Sequence, residues 1–211
     1  QAPVSTGTDT TCFALSEGTS CDEEELKNNN MVFVQDLTGS FSDDINNTRT
    51  ALNSLFTNAL FSDWNIGLTT FRDQGEGMYN QELGYTQPSS GLGNITSTVG
   101  GYSPSGGGDG PESQFYAIDR AVDDFGPEEM NVVLVTDAPS HNRDGISGSD
   151  AASKLNENDH DLIVLGTNNT TGFYQSNLIS ETNSGTFATI TGNSSQLEER
   201  LLDGVIETTC D

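Results

Sequence analysis

Three short segments of this chain are apolar at nearly every position: MVFVQ (31–35), NVVLVTD (131–137) and DLIVLGT (161–167). A strand with one wet face alternates apolar and polar residues, so an unbroken apolar run needs cover on both faces. The sequence supplies that cover between the runs. In DDINNTRTALNSLFTNAL (43–60), Ile45, Leu52, Leu55, Phe56, Ala59 and Leu60 fall mostly at helical spacing. In PESQFYAIDRAVDDF (111–125), Phe115, Ile118, Ala121, Val122 and Phe125 share one face, and Pro111 suits a first helical turn. Buried strands alternating with amphipathic helices predict an α/β fold, doubly wound, with a mostly parallel central sheet flanked by helices.

The remaining segments fit this frame. WNIGLTTF (64–71) reads as a second strand, with Trp64 packing in the core at its start, and the polar MYNQELGY (78–85) as an edge strand. Residues 86–110, rich in Gly, Ser and Pro, read as loop with one short helix near 92–99. SDAASKLNEND (149–159) and FYQSNLIS (173–180) suit helices, TFATIT (186–191) a strand and SSQLEERLLDGVIETT (194–209) a closing helix. Residues 1–29 lack periodicity and read as an N-terminal extension, leaving one domain over 30–211.

The chain carries 32 acidic against 7 basic residues, a formal charge of −25. Nucleic acid and anionic membrane surfaces repel such a chain, so neither is an expected partner. Solubility in salty surroundings and binding of hard divalent cations both account for the acidity, and the two are compatible. No apolar run approaches the ~20 residues of a membrane helix, so direct membrane insertion is not expected. Gln1 opens a polar stretch, as in a mature or excised piece. The cysteines Cys12, Cys21 and Cys210 allow three pairings, all open. Sequons at Asn46, Asn94, Asn168, Asn169 and Asn193 are glycosylation sites in a eukaryotic secreted protein, or chance in a chain rich in Asn, Ser and Thr. An extracellular or cell-surface setting is the expectation.

In a parallel sheet, ligands bind beyond the carboxyl ends of the strands. The first strand runs into Asp36, Thr38 and Ser40, the second into Asp73, and the strand at 131 into Asp137; the loop GGGDGPES adds Asp109 and Glu112. Alternate side chains of Asp36-Leu37-Thr38-Gly39-Ser40 can converge in an extended turn, with Gly39 giving the backbone room. Helix capping by Thr38, Ser42 and Asp43 explains that segment alone. It does not explain four further acids at the same edge, whose mutual repulsion calls for a cation among them. Phe41, inside the segment, is expected to be partly exposed, as a contact residue or a hydrophobic staple.

DLTGSFSDD (36–44) resembles the metal-ion-dependent adhesion motif of von Willebrand factor type A domains, whose fold is Rossmann-like, and is most similar to the I-like domain of integrin beta subunits. WNIGLTTFRD, DGPESQFYAIDRAV and VVLVTDAPSH resemble the family's next strand, acidic loop with helix, and Asp-terminated strand, in that order. The resemblance implies three metal positions. At the central one Thr38, Ser40 and Glu112 bind Mg²⁺ directly, while Asp36 and Asp137 act through water. One directly bound carboxylate leaves the ion net positive with an open coordination position, which the Asp or Glu carboxylate of a protein or matrix ligand can fill. An adjacent Ca²⁺ position uses the Ser40 carbonyl, Asp43, Asp44 and a carbonyl near Gly192. A third uses Asp73, Asp109, the Pro111 carbonyl and Glu112, with Gly107 where the family has Asn. The chain lacks the family's long disulfide-closed loop after the second strand, so pairing with an integrin alpha-type subunit is not expected. The resemblance also implies that the last helix shifts to reshape the metal sites.

Two other classes stand beside cation-dependent adhesion. One is a structural extracellular module that uses Ca²⁺ for stability without gripping a carboxylate. The other is an enzyme, which is not expected: the glycines at 106–110 have no phosphate-loop Lys, no Ser–His–acid set stands out, and of the two histidines, His141 and His160, His141 near Asp137 could serve as a general base but is expected in a surface polar role.

Overall fold

The computed structural model of the chain describes residues 29–143, 145–190 and 193–209, the side chains only as far as Val205 in the last segment. Cys12, Cys21, Cys210, Gly192 and nearly all of the expected N-terminal extension lie outside the described residues. The strands are β1 (Asn30–Asp36), β2 (Asn65–Phe71), β3 (Asn80–Thr86), β4 (Asn131–Val135), β5 (Asp161–Gly166) and β6 (Gly185–Thr189). They form one six-stranded sheet in the order β3-β2-β1-β4-β5-β6. All neighbours run parallel except β3, which is antiparallel to β2 with an irregular register.

The alternating side chains of the apolar strands explain the layers. Met31, Phe33, Val133 and Ile163 face one way, into a core closed by α1 (Ile45–Thr57), α2 (Pro88–Gly101) and α6 (Ser194–Thr209). Val32, Val34, Val132 and Leu134 face the other way, under α3 (Gln114–Phe125), α4 (Gly148–Asn156) and Tyr174 of α5 (Thr171–Asn177). Both faces of β1, β4 and β5 are therefore buried, as their composition requires. The chain winds outward to one side through β2 and to the other through β4, β5 and β6. The carboxyl ends of β1 and β4 thus flank the point where the winding reverses, the place at which sheets of this kind bind ligands.

Several boundaries differ from expectation for physical reasons. The expected loop at 86–110 contains a 14-residue helix, Pro88–Gly101, irregular at Gly91. Burial of Ile95 and Val99 against the sheet, with Leu92 packed beside them, outweighs the poor helix propensity of its glycines. Conversely, α3 starts at Gln114 rather than Pro111. Glu112 is held in an extended bridge to Ser140, its N–H donating to Pro139 O at 2.9 Å and its carbonyl accepting from His141 N at 2.7 Å. Trp64 packs in the core edge-on to Phe61, with ring centroids 4.9 Å apart. Phe41 is wholly buried rather than partly exposed, because the short 3₁₀ helix Ser40–Asp43 turns its ring into the core.

Candidate metal centre

Asp36 ends β1 with no solvent exposure, and its carboxylate is held from three sides. Oδ1 accepts from Thr38 N at 2.8 Å and Thr38 Oγ1 at 2.7 Å, while Oδ2 accepts from Thr136 Oγ1 at 2.7 Å. Thr136 is itself positioned by Gln114 Nε2 at 2.8 Å. Gln114 also donates to Ala138 O at 3.1 Å, where the buried Tyr174 hydroxyl donates at 2.7 Å. A buried polar network from α3, α5 and the end of β4 thus fixes one acid at the sheet edge. Burial above all pushes the Asp36 carboxyl up to about 6, with the Asp137 charge adding to it and the bonds from Thr38 and Thr136 opposing.

Ser40 Oγ donates to Asp137 Oδ1 at 3.0 Å, and Thr38 Oγ1 lies 3.1 Å from Ser40 Oγ. With both acids ionised, the Thr38 hydrogen goes to Asp36 and the Ser40 hydrogen to Asp137. The two hydroxyl oxygens then meet lone pair to lone pair. Such a contact is unfavourable alone and favourable around a shared cation.

Glu112 approaches from the start of α3. It is 2 % exposed, and its Oε2 is a buried oxygen with no hydrogen-bond partner. Its other oxygen and Thr38 lie against the same residue: a Cβ built on Gly107 would stand 2.7 Å from Glu112 Oε1 and 3.0 Å from Thr38 Cβ. Burial first, then the charges of Asp36, Asp73, Asp109 and Asp137, push the Glu112 carboxyl up to about 8. Asp137 is also raised, by burial foremost and by Asp44, against the bond from Ser40. An unpartnered carboxylate oxygen surrounded by acids is where a hard cation would substitute for protons. Asp36, Thr38 and Ser40, with Glu112 and Asp137 from two further segments, are gathered around the end of β1, and their oxygen donors fit a divalent ion. Among the described residues, no group of three or more His, Cys, Asp or Glu side chains is clustered so as to hold a metal unaided; the two hydroxyls are part of the donor set.

The rim is built by the loop after α2. Ser105 N donates to Leu37 O at 2.9 Å, Gly39 N to Gly106 O at 2.9 Å and Gly107 N to Glu76 Oε2 at 2.7 Å. Arg72 Nε donates to Ser105 O at 3.2 Å. Gly39 has ordinary helical dihedrals, so the turn itself does not require glycine. Close approach does, since a Cβ there would lie 2.8 Å from Gly106 O.

Asp43 and Asp44, expected at the adjacent position, lie at the 3₁₀ helix that begins with Ser40; the Asp44 carboxyl is raised by burial and then by Asp43. Asp73 and Asp109, expected at a third position beside Pro111 and Glu112, both face Arg143. Arg143 Nη2 lies 3.0 Å from Asp73 Oδ1 and 3.7 Å from Asp109 Oδ1. His141, which the sequence sets near Asp137, pairs instead with Asp109 at 3.0 Å. The sequence does not single out Thr136, Gln114, Tyr174, Glu76 or Arg143. Thr136 has a local signal, as the residue before Asp137. Arg143 has only its rarity, as one of 7 basic residues.

No model of a known protein family matches the chain, and no curated protein matches it. Solved structures do. Proximal thread matrix protein 1 from the mussel byssus aligns with TM-score 0.64 at 19% identity, over 83% of this chain and 44% of that one. The same protein with a zinc-occupied MIDAS motif gives 0.66 at 18%, over 86% and 46%. A von Willebrand factor type A protein from Catenulispora acidiphila gives 0.63 at 14%, over 86% and 43%. This chain thus spans less than half the length of these structures. The shared architecture is the von Willebrand factor type A fold.

Proposed function

From a von Willebrand factor type A fold as premise, we propose that this domain is a divalent-cation-dependent adhesion module. Thr38, Ser40 and Glu112 would hold a Mg²⁺ ion, supported by Asp36 and Asp137. The observation that carries this reading is the buried Glu112 carboxylate, its Oε2 without a partner and its Oε1 against the same Gly107 as Thr38, whose hydroxyl is paired with that of Ser40. The ion supplies a Lewis-acidic, incompletely satisfied coordination shell. The protein residues orient it: Thr136 and Thr38 fix Asp36, Ser40 fixes Asp137, and the 103–110 loop walls the rim. Ser40 is the exposed member of the set, so a carboxylate from a protein or matrix ligand reaches the ion on its side. Asp43, Asp44 and the Ser40 carbonyl hold Ca²⁺ alongside.

Binding of a surface-immobilised peptide bearing a single Asp or Glu, measured with Mg²⁺, with EDTA and after Ser40→Ala, tests this. Binding present only with Mg²⁺ and Ser40 supports it; binding indifferent to both refutes it. The alternative is a structural module stabilised by Ca²⁺. The acid pair Asp43–Asp44, with the Asp44 carboxyl raised by burial and then by Asp43, is the observation that favours it. A melting temperature raised by Ca²⁺ with no carboxylate binding in Mg²⁺ selects it. The sequon asparagines Asn46, Asn94, Asn168, Asn169 and Asn193 are all exposed, which supports an extracellular setting, as does the byssal matrix origin of two of the aligned structures. No catalytic role is assigned: His141 is engaged with Asp109, and the buried His160 is pushed down to about 4 by desolvation.

A further inference from the structure

Where the resemblance expects a third metal ion, the fold places a side-chain cation. Asp73 leaves the end of β2 and is 5 % exposed. Its Oδ1 accepts from Arg143 Nη2 at 3.0 Å, from Arg143 Nε at 3.3 Å and from Ser113 Oγ at 3.4 Å. Its Oδ2 accepts from Arg143 Nη2 at 3.1 Å. Asp109 Oδ1 lies 3.7 Å from the same Nη2, and its Oδ2 lies 3.0 Å from His141 Nε2. Every oxygen of both carboxylates therefore already faces a protein donor.

The guanidinium is held in place from its backbone outward. Glu112 and Ser140 bridge, which brings the segment after β4 alongside the start of α3. Arg143 then bridges to Ile146, whose N–H donates to Arg143 O at 2.8 Å, with Gly145 at φ +82 completing the turn. A planar fork matches a carboxylate edge and keeps its charge at any physiological pH, so Asp73 has little to gain from an ion. The opposite wall excludes the remaining ligand. Gly107 stands at φ +78, and a side chain there would run into Glu112 Oε1 at 2.7 Å from its Cβ. Glu112 Oε2 is left without a hydrogen-bond partner.

We propose that Arg143 is a tethered cation that takes the place of the third metal ion, so that no divalent ion binds at that third position. One positive charge fixed to the chain neutralises the flank without depending on Ca²⁺ supply, and a chelator cannot remove it. The benefit to adhesion rests on the central-ion reading above, but the occupancy itself does not.

Counting bound Ca²⁺ and Mg²⁺ by equilibrium dialysis with elemental analysis tests this, on the whole chain and its Asp73→Asn, Arg143→Gln and doubly substituted forms. The expected count is unchanged by Asp73→Asn. Arg143→Gln gains one Ca²⁺, with water completing the shell of Asp73, Asp109 and Glu112, and the double substitution loses it again. A fall of one ion on Asp73→Asn alone, or no gain in folded Arg143→Gln, overturns the proposal. Asp109→Asn, at an exposed residue, replaces Asp73→Asn if that variant fails to fold: an unchanged count supports the proposal and a fall of one ion overturns it. An unsubstituted chain that binds no ion, while Arg143→Gln still gains one, would sink the adhesion reading and leave this one standing.

Discussion

Removing divalent ions should make the stability of this domain fall with rising pH, and Glu112 is the reason. In the unfolded chain its carboxyl ionises near 4.5; in the fold, burial and the neighbouring acids move that to about 8. Between those values the folded state holds a proton that the unfolded state has released. The folded state binds more protons, so stability is lost as pH rises. At ~1.4 kcal/mol per pH unit the whole displacement is worth about 5 kcal/mol. Asp36, raised to about 6 chiefly by burial, is one of the charges acting on Glu112, so the two titrations are coupled and their contributions do not simply add. His160 works in the opposite sense: its folded value near 4 lies below the ordinary 6.5, so it costs stability as pH falls through that interval. The window free of both is pH 6.5 to 8, in which Glu112 should remove about 2 kcal/mol. For a domain of this size that lowers the melting temperature by about 4–8 °C. The assay is thermal unfolding by circular dichroism across that window, in EDTA and in Mg²⁺, for the unsubstituted chain and Glu112→Gln. A slope seen in EDTA, suppressed by Mg²⁺ and absent from Glu112→Gln is the expected outcome. The same slope in Glu112→Gln, or one untouched by Mg²⁺, would refute the assignment of an ion to this carboxylate.

Other substitutions separate positioning from ligation. Tyr174→Phe removes the hydroxyl that holds Ala138 O and should cost about 1–2 kcal/mol in urea unfolding, with ion binding retained. Gly107→Ala forces a Cβ against Glu112 Oε1 at a φ of +78, so it should cost about 1–3 kcal/mol and weaken Mg²⁺ binding measured calorimetrically. Phe41→Ala, at a wholly buried ring beneath the motif, should destabilise by about 3–5 kcal/mol in the same unfolding assay. Ser40→Ala, at an exposed hydroxyl, should move stability by less than about 0.5 kcal/mol while reducing Mg²⁺ affinity.

The amino-acid sequence was sufficient for the strands, their parallel arrangement and the group of oxygen donors at the ends of β1 and β4. Each of these is written locally. An unbroken apolar run such as NVVLV has to be covered on both faces, and an acid straight after it has to emerge at the strand's carboxyl end. The helix at Pro88–Gly101 was half visible, because Ile95 and Val99 carry its packing while its glycines argue against it. What no local pattern could supply is which side chain from a distant loop arrives at a given carboxylate. Arg143 reaches Asp73 across 70 residues of sequence, and Thr136 reaches Asp36 across 100. Those meetings depend on how bridges, turns and loop lengths aim each segment, a sum of small backbone rotations with no periodic signature. Tertiary structure alone therefore decided that the outer acids share an arginine, while the inner ones keep a buried carboxylate oxygen without a partner.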